Sequence, residues 1–200
     1  MLRPLLLTLV PALLLMGCAS APPSSSAVSP SQGEVLATRG ISESAKIAAL
    51  ETAILGLGAG IDPGEAARVA RLAVEYPLYT LAPRYQVEDP PLIHNMKVNM
   101  GTKPRGLCYD WADDLEARLR QEGLQTVTLH RAIANHNNIR IEHSTVVVSA
   151  VGDTMAEGIV LDPWRLGMGV LFWAPVAEDS KYDWWERQDV FAYKRARGRM

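Results

Sequence analysis

Gly106-Leu107-Cys108-Tyr109-Asp110-Trp111-Ala112-Asp113-Asp114-Leu115-Glu116-Ala117-Arg118-Leu119-Arg120-Gln121 is the stretch on which the fold turns. Cys108, Trp111, Ala112, Leu115 and Leu119 recur at helical spacing and form one apolar face. Asp113, Glu116 and Arg120 lie opposite, and Gly123 supplies the stop signal. The reading is a helix over Leu107–Gln121 that buries one stripe and carries a cysteine in its first turn.

Upstream the chain is helical. Ile47, Leu50, Ile54 and Leu57 keep a helical period between Ser44 and Leu57, closed by Gly58 and Gly60. Asp62-Pro63-Gly64-Glu65 offers an N-cap, a proline at the first helical position and an acid at the third. Val69, Leu72, Ala73 and Tyr76 make the buried stripe of that helix, and Pro77 is expected to end it. From Pro77 to Gly106 no clean period is visible, and Pro83, Pro90, Pro91 and Pro104 interrupt it, which predicts a long connection packed over or building a site.

Downstream the pattern changes to strands. Thr126–Ala134 and Arg140–Ala150 are rich in β-branched residues and flank the polar turn Asn135-His136-Asn137-Asn138, the signature of a hairpin. Gly158–Leu161 reads as a short apolar strand ending at Asp162-Pro163, and Val170–Trp173 and Val190–Tyr193 as edge strands. Helices first, then a central helix, then antiparallel strands predict an α+β fold.

The first forty residues have a different character. One positive charge at Arg3 precedes an apolar run from Leu5 to Met16, the length of a secretory signal rather than a membrane span. Residues 19–33 are small, polar and proline-rich, which suits a tether. The expected organisation is a signal segment over residues 1–17, a tether over 18–40 and one domain over 41–200. The net charge of −2 predicts no broad basic surface and excludes the usual nucleic-acid-binding classes. Losing Arg3 with the signal lowers 20 basic side chains to 19 against 22 acidic ones. The end of the apolar run, Leu15-Met16-Gly17-Cys18, resembles the lipobox of bacterial lipoproteins. That resemblance implies lipidation at Cys18, and Ala19 after it implies an outer-membrane anchor facing the periplasm. The two cysteines are therefore not read as a disulfide pair.

Cys108 carries the chemical argument. Unpaired N–H groups and the helix dipole favour a thiolate at a helix start, and a neighbouring imidazolium favours it further. Asp110, Asp113 and Asp114 oppose this, but pointing to solvent they are screened. His143 is the candidate partner. It enters Ile141-Glu142-His143-Ser144-Thr145-Val146-Val147-Val148, a strand apolar on both faces, where a histidine needs a partner to keep a charge. Asp162, ending a neighbouring strand, can hold one ring nitrogen and leave the other for the thiol.

Gly106-Leu107-Cys108-Tyr109-Asp110-Trp111-Ala112 with Leu115, then His143 entering a strand, then Leu161-Asp162-Pro163, resembles the transglutaminase-like superfamily of papain-like fold. The resemblance covers roughly Asn99 to Arg165. It implies Cys108 as nucleophile, His143 as general base and acid, and Asp162 as its orienter. The residues after His143 depart from the family pattern: Ser144 and Thr145 stand where an aromatic and an acid are usual. The Cys108 backbone N–H is one oxyanion donor by position. The family takes a second donor from a side chain upstream, for which Asn95, Asn99 and Tyr85 compete, and Asn99 is preferred.

The expected activity is a cysteine-dependent amide or acyl hydrolase, or an acyltransferase, working through a thioester on an envelope protein or a peptidoglycan peptide. A catalytically inactive binding or assembly module of the envelope is the alternative. A peptidoglycan peptidase of NlpC/P60 type stands behind it, because Leu107-Cys108-Tyr109-Asp110 departs from the Asp-Cys-Ser-Gly usual there. No cofactor is expected. No metal is expected either, since His94, His130, His136 and His143 lack zinc-ligand spacing. Trp164, Trp173, Trp184 and Trp185 read as core and rim, and the basic tail Lys194–Arg199 as a solvated terminus.

Overall fold

The computed structural model describes residues 41–138 and 140–198. The expected signal segment, Cys18 and the tether lie outside them. The coarse class is α+β: helices packed on one five-stranded antiparallel sheet.

β1 (Val127–Ala134) and β2 (His143–Ala150) form the expected hairpin, with Val127 opposite Ala150 and Ala134 opposite His143. β3 (Ile159–Asp162) pairs with the other edge of β2, β4 (Phe172–Pro175) with β3, and β5 (Trp185–Glu186) with the outer edge of β1. The spatial order is β4-β3-β2-β1-β5. β2 is central and buried along nearly its whole length, which is why it reads as an apolar run rather than an alternating one. Arg140–Glu142 belongs to the turn, so the strand opens at His143.

α1 (Glu43–Leu55) starts where the Ser42 hydroxyl accepts from the Ala45 N–H. α2 (Pro63–Tyr76) has Asp62 as its N-cap, as the sequence implies. Its third residue, Glu65, is used differently. Its buried carboxylate accepts from the Gln125 and Thr126 N–H groups and the Thr126 hydroxyl, tying the helix start to the approach to β1. α2, α1 and the cysteine helix cover one sheet face through Leu50, Ile54, Val69, Ala73, Leu115 and Leu119 against Val146, Val148, Ile159 and Leu161. A smaller cluster on the other face joins Ala132, Ala134, Val147, Met155, Val160 and Trp184.

Three expectations are overturned. Pro77 does not stop α2: a π-helical turn over Pro77–Leu81 continues into α3 (Ala82–Arg84). A π turn bonds five residues apart, so it widens the coil at the residue that lacks an N–H. The stretch 77–106 is accordingly no structureless connection, for it also holds α4 (Pro91–Asn99), started by a proline at its first position. Val190–Tyr193 is not an edge strand but part of α6 (Arg187–Ala196), in which Val190 is fully buried. Tertiary burial of that one side chain outweighs the strand preference of a four-residue run. Of the basic tail, Lys194 is drawn into this helix and pairs with Glu142, while Arg195 and Arg197 stay exposed, the Arg197 guanidinium stacking on Tyr193 at 4.0 Å.

Candidate active site

The cysteine helix, α5, spans Cys108–Arg120 with Leu107 as N-cap. Leucine has no side-chain oxygen to cap the helix, and Asp110, its third residue, reaches back instead to the backbone ahead of it. Its Oδ2 accepts from the Gly106 and Leu107 N–H groups at 3.0 Å each. The Trp111 indole donates to the Gly106 carbonyl at 2.9 Å and tightens the same turn. Gly106 sits at φ +125°, and a Cβ there would lie 2.4 Å from His94 Nε2, so both the backbone and the space require glycine. Cys108 thus begins a helix whose preceding turn is pinned by Asp110, Trp111 and His94, and whose Asp110 and Trp111 N–H groups already bond the Leu107 carbonyl.

Of the three nearby acids only Asp113 is exposed to solvent as expected; Asp110 is buried and Asp114 half-buried. Asp110 is buried in its capping role with Arg105 at 3.2 Å. Asp113 pairs with Arg131 at 2.9 Å. Asp114 takes the Tyr85 hydroxyl at 2.6 Å, with Arg84 and Arg105 close by. Paired cations, rather than dissolved salt, offset their repulsion of a thiolate. The buried Tyr85 phenol, its pKa pushed far up by burial and by Asp114, stays protonated as that donor.

The structure brings Cys108, His143 and Asp162 together. The thiol donates to the Glu142 carbonyl at 3.7 Å, which places the sulfur against the residue preceding His143. His143, 2% exposed, donates from Nε2 to Asp162 Oδ2 at 2.7 Å. Its buried Nδ1 has no hydrogen-bond partner among the described residues, leaving that nitrogen for the sulfur. The ring is walled by Trp164 and Tyr182, each 4.8 Å between centroids, and by Trp184 at 5.5 Å.

Burial works against a charge on His143, but the Asp162 carboxylate, its hydrogen bond and the Cys108 sulfur outweigh it. The imidazolium pKa rises from 6.5 to about 9. Asp162 shows the converse. Burial alone would raise its pKa, yet His143 and Arg165 bring it down to about 2. Its four hydrogen bonds explain the rigidity: Oδ1 accepts from the Trp164 and Arg165 N–H groups at 3.1 Å, while Oδ2 accepts from His143 and from Arg165 Nε at 3.0 Å.

The three oxyanion candidates separate. Asn99 ends α4 exposed. The Tyr85 hydroxyl is committed to the Asp110 carbonyl and Asp114. Asn95 is the one joined to the wall around His143, its Oδ1 accepting from Trp164 Nε1 at 3.2 Å. Sequence reasoning missed Arg165, Asp179 and the Tyr182–Trp184 wall. Arg165 could have been suspected from its place three residues after Asp162 across a proline turn. Nothing in the local pattern links Asp179 to either.

Among the described residues no group of three or more His, Cys, Asp and Glu side chains is arranged to hold a metal ion, and no helix is long and apolar enough to cross a membrane. No protein-family model, curated protein or solved structure matches the chain.

Proposed function

We propose that the protein is a cysteine-dependent amide or acyl hydrolase, or acyltransferase, of transglutaminase-like type. The observation that supports it is the thiol at a helix start beside a buried His143–Asp162 pair whose second ring nitrogen is open. In this reading Cys108 passes its proton to His143 Nδ1 and the thiolate attacks an acyl carbon. The carbonyl oxygen becomes an oxyanion facing the Cys108 N–H at the positive end of α5. The imidazolium then protonates the departing amine and leaves a thioester. Water or a second amine gives its proton back to His143, attacks the thioester and releases Cys108 as the thiol. Asp162 stays ionised throughout, holding the ring orientation and stabilising its charged form.

Within the same proposal the protein is lipid-anchored in the envelope, a reading supported by the likeness of Leu15-Met16-Gly17-Cys18 to a lipobox. The substrate is then an envelope protein or a peptidoglycan peptide.

The test is alkylation of Cys108 by iodoacetamide at pH 6 in the native chain, against free cysteine and against His143→Gln. Free cysteine, with pKa near 8.5, holds only about 0.3% thiolate at that pH. Cys108 is expected to react at least about tenfold faster than free cysteine, and His143→Gln to remove that excess. A native thiol no faster than free cysteine, unchanged by the substitution, overturns the proposal.

A further inference from the structure

Behind Asp162 lies a second buried pair that the mechanism above does not use. The Arg165 side chain is 4% exposed. Nε donates to Asp162 Oδ2 at 3.0 Å, while Nη1 and Nη2 donate to the two oxygens of Asp179 at 3.0 and 2.6 Å. The guanidinium lies 3.7 Å from the Phe172 ring centroid and 4.7 Å from that of Tyr182, a ring that also packs on His143 and Trp184. Asp179 is fixed in turn by the Trp184 indole at 2.8 Å and the Lys181 N–H at 3.3 Å. The chain of contacts therefore runs Cys108, His143, Asp162, Arg165, Asp179, Trp184, and Trp184 closes it by packing on the His143 ring.

A buried arginine alone beside Asp162 would work against a charged His143. It would neutralise the carboxylate and leave the imidazolium facing a closed ion pair. Asp179 changes that balance. Two carboxylates around one guanidinium leave one negative charge, available to the His143 ring, the other ionisable partner of Asp162 Oδ2 among the described residues. The geometry supports orientation as well as charge. The planar guanidinium bridges the two acids, Nε to Asp162 and Nη1 and Nη2 to Asp179, a span that a lysine ammonium could not make.

We propose that Arg165, clamped by Asp179, is a positioning residue for the Cys108–His143 couple, orienting Asp162 while Asp179 offsets its charge so that Asp162 still acts on His143 as a full anion. This rests on the reading of Cys108 and His143 as nucleophile and base. Among the described residues the other charged or titratable groups beside His143 are Cys108 from α5, Tyr182 from the segment before β5, and Glu142 in the turn just before β2, which pairs with Lys194 of α6.

The inference predicts opposite shifts from two substitutions. Asp179→Asn keeps the shape and removes the offsetting charge, so His143 should lose its proton at lower pH. Arg165→Gln removes the cation and leaves two carboxylates, so His143 should hold its proton to higher pH. A general loosening of the site would move both variants the same way. The measurement is the pH titration of the His143 ring proton by NMR on the full chain in a Cys108→Ser background, the resonance being identified by its loss in His143→Gln. Asp179→Asn is expected to lower the midpoint by about one pH unit, and Asp179→Glu to restore most of it. Arg165→Gln is expected to raise the midpoint. A midpoint that stays in place in Asp179→Asn, or that falls in both variants, overturns the inference. Should Asp179→Asn not fold, Arg165→Gln and Asp179→Glu decide it by sign. Iodoacetamide rates on the Cys108-bearing proteins separate the two levels: an inert native thiol with the expected NMR shifts removes the enzymatic reading alone. A reactive thiol with no NMR shift removes the role of Arg165 and Asp179 alone.

Discussion

At His143 burial and partnership pull in opposite directions, and partnership wins because Asp162 is equally buried and cannot trade the ring for water. Folding raises the His143 pKa from 6.5 to about 9. The stabilisation is therefore complete below about pH 6.5 and is lost as pH rises through 9, about 3 kcal/mol at ~1.4 kcal/mol per pH unit. Asp162, depressed from 3.8 to about 2, describes the acid side of the same ion pair: its contribution is present above about pH 3.8 and lost as pH falls through 2. Urea midpoints should therefore be highest between about pH 4 and 6.5, with His143→Gln removing most of the fall toward pH 9. Midpoints equally steep on the alkaline side with and without the imidazole would show that the pair does not govern stability there. The residue types of the pair were legible, since a histidine in a doubly apolar strand must be partnered. The four-fold saturation of Asp162 was not, because two of its donors come from backbone beyond a proline turn.

At the scale of elements, the turn before α5 decides where the thiol points. Gly106 looks in the sequence like an ordinary residue ahead of a helix. The structure packs His94 against its α-carbon, with His94 Nε2 bonded to the Arg105 carbonyl at 2.8 Å. Gly106→Ala must strain a positive φ and displace His94, so it should cost about 2–4 kcal/mol and slow Cys108 alkylation with it. Urea denaturation together with the alkylation rate checks both; a neutral substitution would mean that the turn is not pinned. α4, which supplies His94, was hidden among prolines that read as loop. Prolines at first helical positions start helices as readily as they end them, and periodicity over nine residues is too short to tell the difference.

Across the whole molecule, the helical layer and the sheet are joined by a few buried polar ties besides apolar packing. Glu65 is the clearest, with one carboxylate satisfying three donors around Thr126. Glu65→Ala takes the acceptor from two part-buried backbone N–H groups and should cost about 1–3 kcal/mol, read as a lower urea midpoint. Glu65→Gln, which can still accept, should recover part of it. A wild-type midpoint in Glu65→Ala would show that water reaches those groups. The α6 contact of Lys194 with Glu142 makes a second tie, holding the chain end to the segment whose carbonyl receives the Cys108 thiol.

What the chain determines by itself is local. The cysteine helix and its apolar face, the capped start of α2 and the β1–β2 hairpin all follow from periodicity and capping chemistry acting over a few residues. So do the places of Cys108, His143 and Asp162 at a start or an end of an element, whereas their roles as nucleophile, base and orienter are what the family resemblance implies. Tertiary structure alone decided the π turn through Pro77, the helix in place of an edge strand at Val190–Tyr193, and the pairing of the three acids of α5 with arginines. It also decided which ring nitrogen meets Asp162, and that Asp179, distant in sequence from Asp162, balances the arginine beside it. These depend on which side chains share a buried space, and that is set by the packing of the sheet on its helices.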